Sequence, residues 1–575
     1  MLADHRAMRA LAGYRVSWLR QDLVAGVVLT TLLVPQGMAY AELAGLPAIT
    51  GLYTSILCLI GYALCGPSRI LVLGPDSSLG PMIAASLLPI LGANGNPERA
   101  IELASMLALM VGAIMIAASV ARLGFVADLL SKPTQIGYMN GLALTILIGQ
   151  LPKLFGFSVD ADGLIPEARG FVHGLSAGEA VGAAVAIGIF SLIVILALGR
   201  WAPKVPGVLV AVVLAIGATS IFSLADHGVS LVGTLPRGFP PLTFPNAVSD
   251  VPLLVAGALG ISLVALTDTI STASAFAARS GQEVNGNGEM LGIGVANVAA
   301  GFFQGFPVST SGSRTAVAER AGAKSQVTGL VGAGAIVLML VLVPGLLRNL
   351  PNPTLAAVVI AASLSLADLP GTIRLWRQRR VEFLLSMVAF LGVALLGVLE
   401  GIAVAVALSI LNVFRRAWWP HYTTLGRVAD LPGLHDIELH PDADQLPGLV
   451  VLRFDAPLFF ANARTFRDEV RRIAQSEPAP RWILVAAEPI TDVDTTAADM
   501  LLSLDEELNA AGTSLVFAEL KDPVRDKLER YELIGPLDPY HFFPTLEGAV
   551  EQFRRESGAE WVAPGYHPNE VRGQM

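Results

Sequence analysis

Long apolar runs dominate the first two thirds of the chain. A helix that crosses a bilayer needs about 20 apolar residues. Runs of that order fall at 49–66, 102–121, 178–199, 205–223, 253–278, 289–306, 325–347 and 382–414. Shorter runs, interrupted by Gly and Pro, fall at 22–44, 70–91, 133–151, 308–322 and 353–367. The run 382–414 has room for two spans with a turn near Leu399–Gly401. The pattern therefore predicts a polytopic α-helical membrane protein of about 14 segments.

Two of the interrupted segments look alike. One reads V-L-G-P-D-S-S at 72–78, the other F-P-V-S-T-S-G-S-R at 306–314. Each predicts a short β-prone stretch, a Gly/Pro/Ser break and a short helix. They stand 234 residues apart (Asp76 to Thr310), close to the 229 that separate Asp22 from Val251. Repeats of about 22–223 and 251–416 follow, within a membrane block of 22–416 after an N-terminal stretch of 1–21. An odd number of spans per half makes such halves inverted, and broken segments at matching positions point to a transporter's binding site.

The period changes at Leu446. Strands are predicted at 448–455, 457–463, 481–487 and 514–520, and helices at 464–475, 496–511, 523–533 and 546–556. This is a small soluble α/β domain over 446–560, with 417–445 as linker and 561–575 as tail.

Composition sharpens the division. The 575 residues are 53% hydrophobic and 15% charged, with mean hydropathy +0.61, too few charges for an ordinary soluble enzyme. The net charge of −9 is unevenly placed: 24 Lys/Arg against 20 Asp/Glu in 1–416, and 14 against 27 beyond. Neither part has the basic surplus of a nucleic-acid binder. With the N-terminus inside, 18 of the 24 cations in 1–416, among them Arg6, Arg9, Lys204, Arg279, Arg374, Arg377, Arg379 and Arg380, fall on the inner side. Five fall outside, and Arg314 is left within a span. This bias follows the positive-inside rule and predicts an inner-membrane protein with both termini cytoplasmic.

The breaks carry the chemistry. Half-helix N-termini offer unpaired N–H groups and a positive dipole end, and two of them aimed at one place make an anion cradle. The candidate donors are Ser77 and Ser78 on one side, and Thr310, Ser311, Gly312 and Ser313 on the other. Arg314 is a functional candidate because a charge in a span is costly. Its fork suits an oxyanion. Asp268, deep in G-I-S-L-V-A-L-T-D-T-I-S-T at 260–272, is a natural proton carrier, or with Thr272 one turn on a Na⁺ ligand. Asp76 is either a coupling carboxylate or a simple helix cap. Gln36 and Tyr40, beside the Pro35–Gly37 break, can complete a pocket without adding charge. No phosphate-binding loop or His/Cys cluster of metal spacing occurs, so neither cofactor, metal nor enzymatic activity is expected.

The stretch 22–53, D-L-V-A-G-V-V-L-T-T-L-L-V-P-Q-G-M-A-Y-A-E-L-A-G-L-P-A-I-T-G-L-Y, resembles the first signature of the sulfate permease (SulP) anion transporters. G-Q-E-V-N-G-N-G-E at 281–289, followed by F-P-V-S-T-S-G-S-R-T at 306–315, resembles the second, and the tail resembles a STAS domain. The resemblance implies a 7+7 inverted repeat with core and gate domains, elevator-type alternating access and a homodimer. It also implies a pocket between the third and tenth spans, completed by the first and eighth, at Gln36, Tyr40, Asp76–Ser78, Asp268 and Ser311–Arg314. Asp76 departs from the small or apolar residue usual after that Gly-Pro. Thr495 falls at the phosphorylatable position of soluble STAS proteins, which implies a cytoplasmic regulator.

The expected function is proton-coupled uptake of an inorganic anion, sulfate first. The alternatives are Na⁺-coupled bicarbonate or dicarboxylate transport, an uncoupled exchanger or channel, and a regulatory scaffold.

Overall fold

A chain that leaves the helix inside an apolar slab must satisfy every N–H and C=O it releases. The architecture is built around two such departures. The computed structural model describes residues 14–92, 96–125, 130–159, 161, 163–203, 205–280, 284–428 and 431–562. Residues 1–13 with Arg6 and Arg9, Lys204, the Gly281–Glu283 start of the second signature and residues 563–575 of the tail lie outside the described residues.

The chain divides into two compact units between Ile410 and Leu411. The first unit opens with α1 (Leu19–Leu43), α2 (Ala48–Cys65), β1 (Leu73–Gly74), α3 (Gly80–Leu91) and α4 (Pro97–Val120). Next come α5 (Lys132–Phe155), α6 (Leu164–Ala177), α7 (Gly182–Trp201) and α8 (Gly207–Phe222). The same order then recurs. It runs α9 (Val251–Ser280), α10 (Gly286–Phe302), β2 (Ser309–Thr310), α11 (Gly312–Arg320) and α12 (Val327–Leu342). It continues through α13 (Asn352–Leu366), α14 (Leu369–Gln378), α15 (Arg380–Leu396) and α16 (Val398–Trp418), within which the division falls. Packing follows the repeat: α4 lies on α10 as α12 lies on α2, and α5 lies on α15 as α13 lies on α7. Among the described residues, seven helical segments are long and apolar enough to cross a membrane by length and composition.

Two features of this unit differ from the sequence reading. The short helices α6 and α14 lie outside the fourteen segments, each at the same place in its repeat. Ten to fourteen residues are too few to span, and their apolar positions are interleaved with charges. The turn expected near Leu399–Gly401 falls at Gly397, whose φ of 121° is open to glycine and strained for other residues.

A buried carboxylate ties the two halves. Asp22, fully buried on α1, accepts from Lys324 N at 2.7 Å, Ser325 N at 3.2 Å, Ser325 Oγ at 2.7 Å and Thr328 Oγ1 at 3.0 Å. It holds the turn that leads into α12, where Ser325 Oγ in turn accepts from Val327 N at 3.2 Å.

The second unit holds β3 (Tyr422–Arg427), β4 (Leu434–Asp436), β5 (Leu449–Phe454), α17 (Ala463–Ala474) and β6 (Trp482–Ala486). It continues with α18 (Thr495–Ala510), β7 (Ser514–Ala518), α19 (Asp522–Arg530), β8 (Phe542–Phe543) and α20 (Leu546–Ser557). The sheet order is β4-β3-β5-β6-β7-β8, antiparallel at β4-β3-β5 and parallel beyond. Two expectations change here. The stretch 417–445, read as linker, supplies β3 and β4, because the half-buried alternation of 422–427 completes the edge of β5. The stretch 457–463, read as a strand, is a turn. Asn462 holds it by accepting from Phe459 N at 3.0 Å and donating to Pro457 O at 2.8 Å. At the β3–β4 junction, Asp436 Oδ1 accepts from Thr423 Oγ1 at 2.6 Å and from Glu438 N at 2.8 Å. The Thr423 bond leads in holding that half-buried carboxyl below its ordinary range.

The helices of the first unit meet backbone to backbone at Gly37 and Gly51, where a Cβ on Gly51 would stand 1.8 Å from the Gly37 carbonyl oxygen. Gly51→Ala is expected to force α1 from α2 and cost at least about 2 kcal/mol. Gly334→Ala, with nothing within 4 Å of the added methyl, should be silent. Thermal unfolding of the two purified variants checks this, and equal midpoints would refute the close contact.

Candidate functional site

β1 and β2 pair antiparallel, Leu73 opposite Thr310 and Gly74 opposite Ser309, so the two broken segments meet. Side chains from other helices hold the irregular backbone around them. Buried Asn297 of α10 accepts from Val308 N at 3.0 Å and donates to Val308 O at 3.4 Å. Thr54 Oγ1 accepts from Phe306 N at 3.1 Å, and Ser105 Oγ donates to Gly305 O at 3.2 Å. On the other segment, Gln326 Nε2 donates to Ser68 O at 2.8 Å and Leu71 O at 2.9 Å, and Thr315 Oγ1 accepts from Val72 N at 3.1 Å.

After the two strands, the turn that leads into α3 and the N-terminus of α11 line a cavity of about 450 Å³. One wall is polar. It is made by Gln36 and Tyr40 of α1, Asp76 and Ser77 of the first break, Asp268, Ser271 and Thr272 of α9, and Thr310–Ser313 of the second break. The other wall is nearly all apolar: Met139 of α5, Ile195 of α7, Val208 of α8, and Val358, Ala361, Ala362, Ser365 and Leu366 of α13.

Ten of the residues predicted from sequence line this cavity together: Gln36, Tyr40, Asp76, Ser77, Asp268, Thr272, Thr310, Ser311, Gly312 and Ser313. Ser78 and Arg314, read as substrate-binding, are not among the lining residues. Ser78 is buried behind the wall, its Oγ 2.8 Å from Asp76 Oδ1 and 3.1 Å from Asp268 Oδ2, so one hydroxyl bridges the two carboxylates. Arg314 is fully buried. Its Nη2 stands 3.9 Å from Asp76 Oδ2, and a Cβ on Gly74 would come within 2.7 Å of Nη1. Gly74 thus makes room for the guanidinium against β1. The reason for its withdrawal is helical geometry: Ser311 caps α11, accepting from Arg314 N at 3.4 Å, and residues on one turn of a helix cannot all face one cavity.

Asp76 has a local role as well, because its Oδ1 accepts from Ser78 N at 2.9 Å and so caps the break. Thr495 lies in the other unit as the exposed first residue of α18, capped by Asp494, whose Oδ1 accepts from Ala497 N at 2.8 Å.

The sulfate permease family profile matches residues 19–389, and a STAS domain profile matches 440–549. A probable sulfate transporter of Mycobacterium tuberculosis is 42% identical over 544 residues, covering 94% of this chain and 96% of that one. The chain belongs to the sulfate permease family. Sulfate transporter 3.1 of Arabidopsis thaliana is 28% identical over 564 residues, covering 94% of this chain and 85% of that one. Among solved structures, the murine anion transporter solute carrier 26 family member A9, inward-facing, superposes with a TM-score of 0.86 at 24% identity, covering 96% and 94% of the two chains. The transmembrane domain of a cyanobacterial bicarbonate transporter gives 0.59 at 18% identity, covering 69% of this chain and 98% of that one. Both likenesses are of fold.

Against this sulfate permease fold, sequence reasoning missed Ser271 and the whole apolar wall. Ser271 had a signal, since 268, 271 and 272 share one helix face. The apolar wall had none, because Val, Ile, Leu and Ala facing a cavity look like those facing lipid.

Asn297→Leu leaves Val308 N–H and C=O without this partner, at about 1–3 kcal/mol for each group. It is expected to lower the unfolding midpoint and loosen β2. Asn297→Asp, which keeps the acceptor for Val308 N, should recover part of the loss. Thermal unfolding and amide exchange at 306–311 measure both effects, and unchanged protection in the Leu variant would count against the clamp.

Proposed function

We propose that the chain is a secondary active transporter that takes up an inorganic oxyanion, sulfate first, coupled to H⁺ through Asp268. The observation that carries this is the single polar wall on which hydroxyls, an amide, the N-terminus of α11 and the turn before α3 converge. Such donors suit an anion. The relatives named as sulfate transporters make sulfate the first candidate.

The charges bear on coupling. Asp76 and Asp268 in the wall and Arg314 behind it carry one net negative charge when both carboxyls are ionised. A proton on Asp268 brings that sum to zero and lowers the cost of admitting an anion. Asp76, joined to Asp268 through Ser78, is the second coupling candidate. The division of walls supports elevator-type movement. All but one of the polar side chains that line the cavity lie on α1, α9 and the two breaks, Ser365 of α13 being the exception, so that body can slide past the apolar wall with most of its cargo's bonds intact. The charge bias supports a topology with both termini and the STAS domain in the cytoplasm, at the inner membrane. A homodimer and a cytoplasmic regulator acting through Thr495 complete the reading.

The second reading, Na⁺-coupled bicarbonate or dicarboxylate transport, is favoured by one observation: Asp268 and Thr272 line the cavity from one helix face. Replacing Na⁺ by choline separates the two, since the proton-coupled reading expects no loss of uptake.

In proteoliposomes, uptake of labelled sulfate should rise with an inward proton gradient, and Asp268→Asn should abolish that dependence. Gradient-independent uptake by the wild type, or normal coupling in the variant, would sink the mechanism. Arg314→Gln is expected to weaken anion binding about tenfold, about 1.4 kcal/mol, while Arg314→Lys keeps most of it. Calorimetric titration of the anion reads the difference, and unchanged affinity in Arg314→Gln would make the arginine purely structural.

A further inference from the structure

The transport reading leaves one charged surface unused. α14 is amphipathic in an unusual way. Leu369, Ile373 and Trp376 recur at i, i+4 and i+7 and are 64%, 53% and 56% exposed, whereas Gly371 and Leu375 on the opposite side are buried. Arg374, Arg377, Arg379 and Arg380 crowd the same short stretch, and all four are exposed. Among the described residues neither Arg374 nor Arg377 has a hydrogen-bonding or ionic partner. Arg380 lies over the Trp376 ring at 5.9 Å, and Arg379 comes only to 3.8 Å from Glu382.

The helix is held in place. Asn140 of α5 accepts from Asp368 N at 2.7 Å and donates to Thr372 Oγ1 at 2.9 Å, and Asp368 caps Gly371 N at 2.8 Å. At 3.6 residues per turn, Arg377 and then Arg374 follow the apolar stripe on one side, and Arg379 follows the helix as its extended C-cap. An apolar stripe edged by guanidinium groups is the geometry of a helix lying in a membrane interface, stripe toward the acyl chains and cations at the phosphates. The repeat does not demand this. α6, at the equivalent place in the first half, carries Arg169 and His173 against Glu167 and has no such cluster.

We propose that α14 is a binding site for the phosphate headgroups of anionic phospholipids. Arg374 and Arg377 fork onto phosphate oxygens, and Leu369, Ile373 and Trp376 seat among the chains. The site has leverage, because α13, which supplies Val358, Ala361 and Leu366 to the cavity wall, ends two residues before Asp368. A lipid held on α14 fixes the depth of that wall in the bilayer.

The full chain is reconstituted into phosphatidylcholine vesicles with and without phosphatidylglycerol, then extracted, and the retained lipid is counted by native mass spectrometry. An arginine at an anionic surface is worth about a fivefold gain in binding. Arg374→Gln with Arg377→Gln should therefore lower retained phosphatidylglycerol at least about fivefold, while Arg169→Gln leaves it unchanged. Retention equal to wild type in the double variant overturns the proposal. So does displacement of the lipid by inorganic phosphate or by a soluble acidic peptide, which would make α14 a free-anion or a protein site. A measurement on unaltered protein covers a variant that fails to fold. Phenylglyoxal modification of Arg374 and Arg377, mapped by peptide mass, should fall severalfold in phosphatidylglycerol vesicles, and equal modification in both lipids also overturns it.

Discussion

Two residues of β1 laid against two of β2 govern the first unit. This ladder is too short to be stable alone, and each strand sits where a helix has been abandoned inside an apolar environment. It exists because Asn297, Thr54, Ser105, Gln326 and Thr315, from the helices around and the half-helix beyond, bind the backbone that the ladder leaves over. In return the ladder fixes the origin of α3 and α11, and so where two helix dipoles begin. Move the strands by one residue and Asp76, Ser77 and the 310–313 run no longer share a cavity.

Charge near the cavity is arranged in depth. Carboxylates occupy the wall, and the cation stands behind it, in space that a side chain on Gly74 would fill. The Ser78 hydroxyl has one proton to give and two carboxylates in reach. On the proposed coupling, a proton arriving on Asp268 would turn that hydroxyl toward Asp76. The state of one carboxyl is then felt by the other and, through Asp76, by Arg314.

Much of this was legible in the residues. The apolar runs, the repeated broken segments and the change of period after residue 445 follow from bilayer thickness and from glycine and proline chemistry. Those rules act on the sequence locally. The polar wall was legible for a related reason, because polar residues in an apolar block have few other uses. What stayed hidden depends on direction rather than on type. Arg314 and Ser78 were grouped with their neighbours, yet the turn of α11 and the Asp76 cap aim them elsewhere. The apolar wall, with Met139 or Val358, carries no local mark. β3 was read as linker because its half-buried pattern becomes a strand only once β4 and β5 pair with its two edges.

The contact of Gly37 with Gly51 has a mechanical meaning. Side-chain packing between helices is compliant, since rotamers give before backbones do. Where two carbonyl-lined helix surfaces touch directly, little is left to give. Gln36 and Tyr40 flank that contact, so their spacing from the neighbouring helix is set by the stiffest material the chain possesses. Thermal breathing of the surrounding apolar side chains should therefore blur the geometry of the polar wall less than that of the wall opposite.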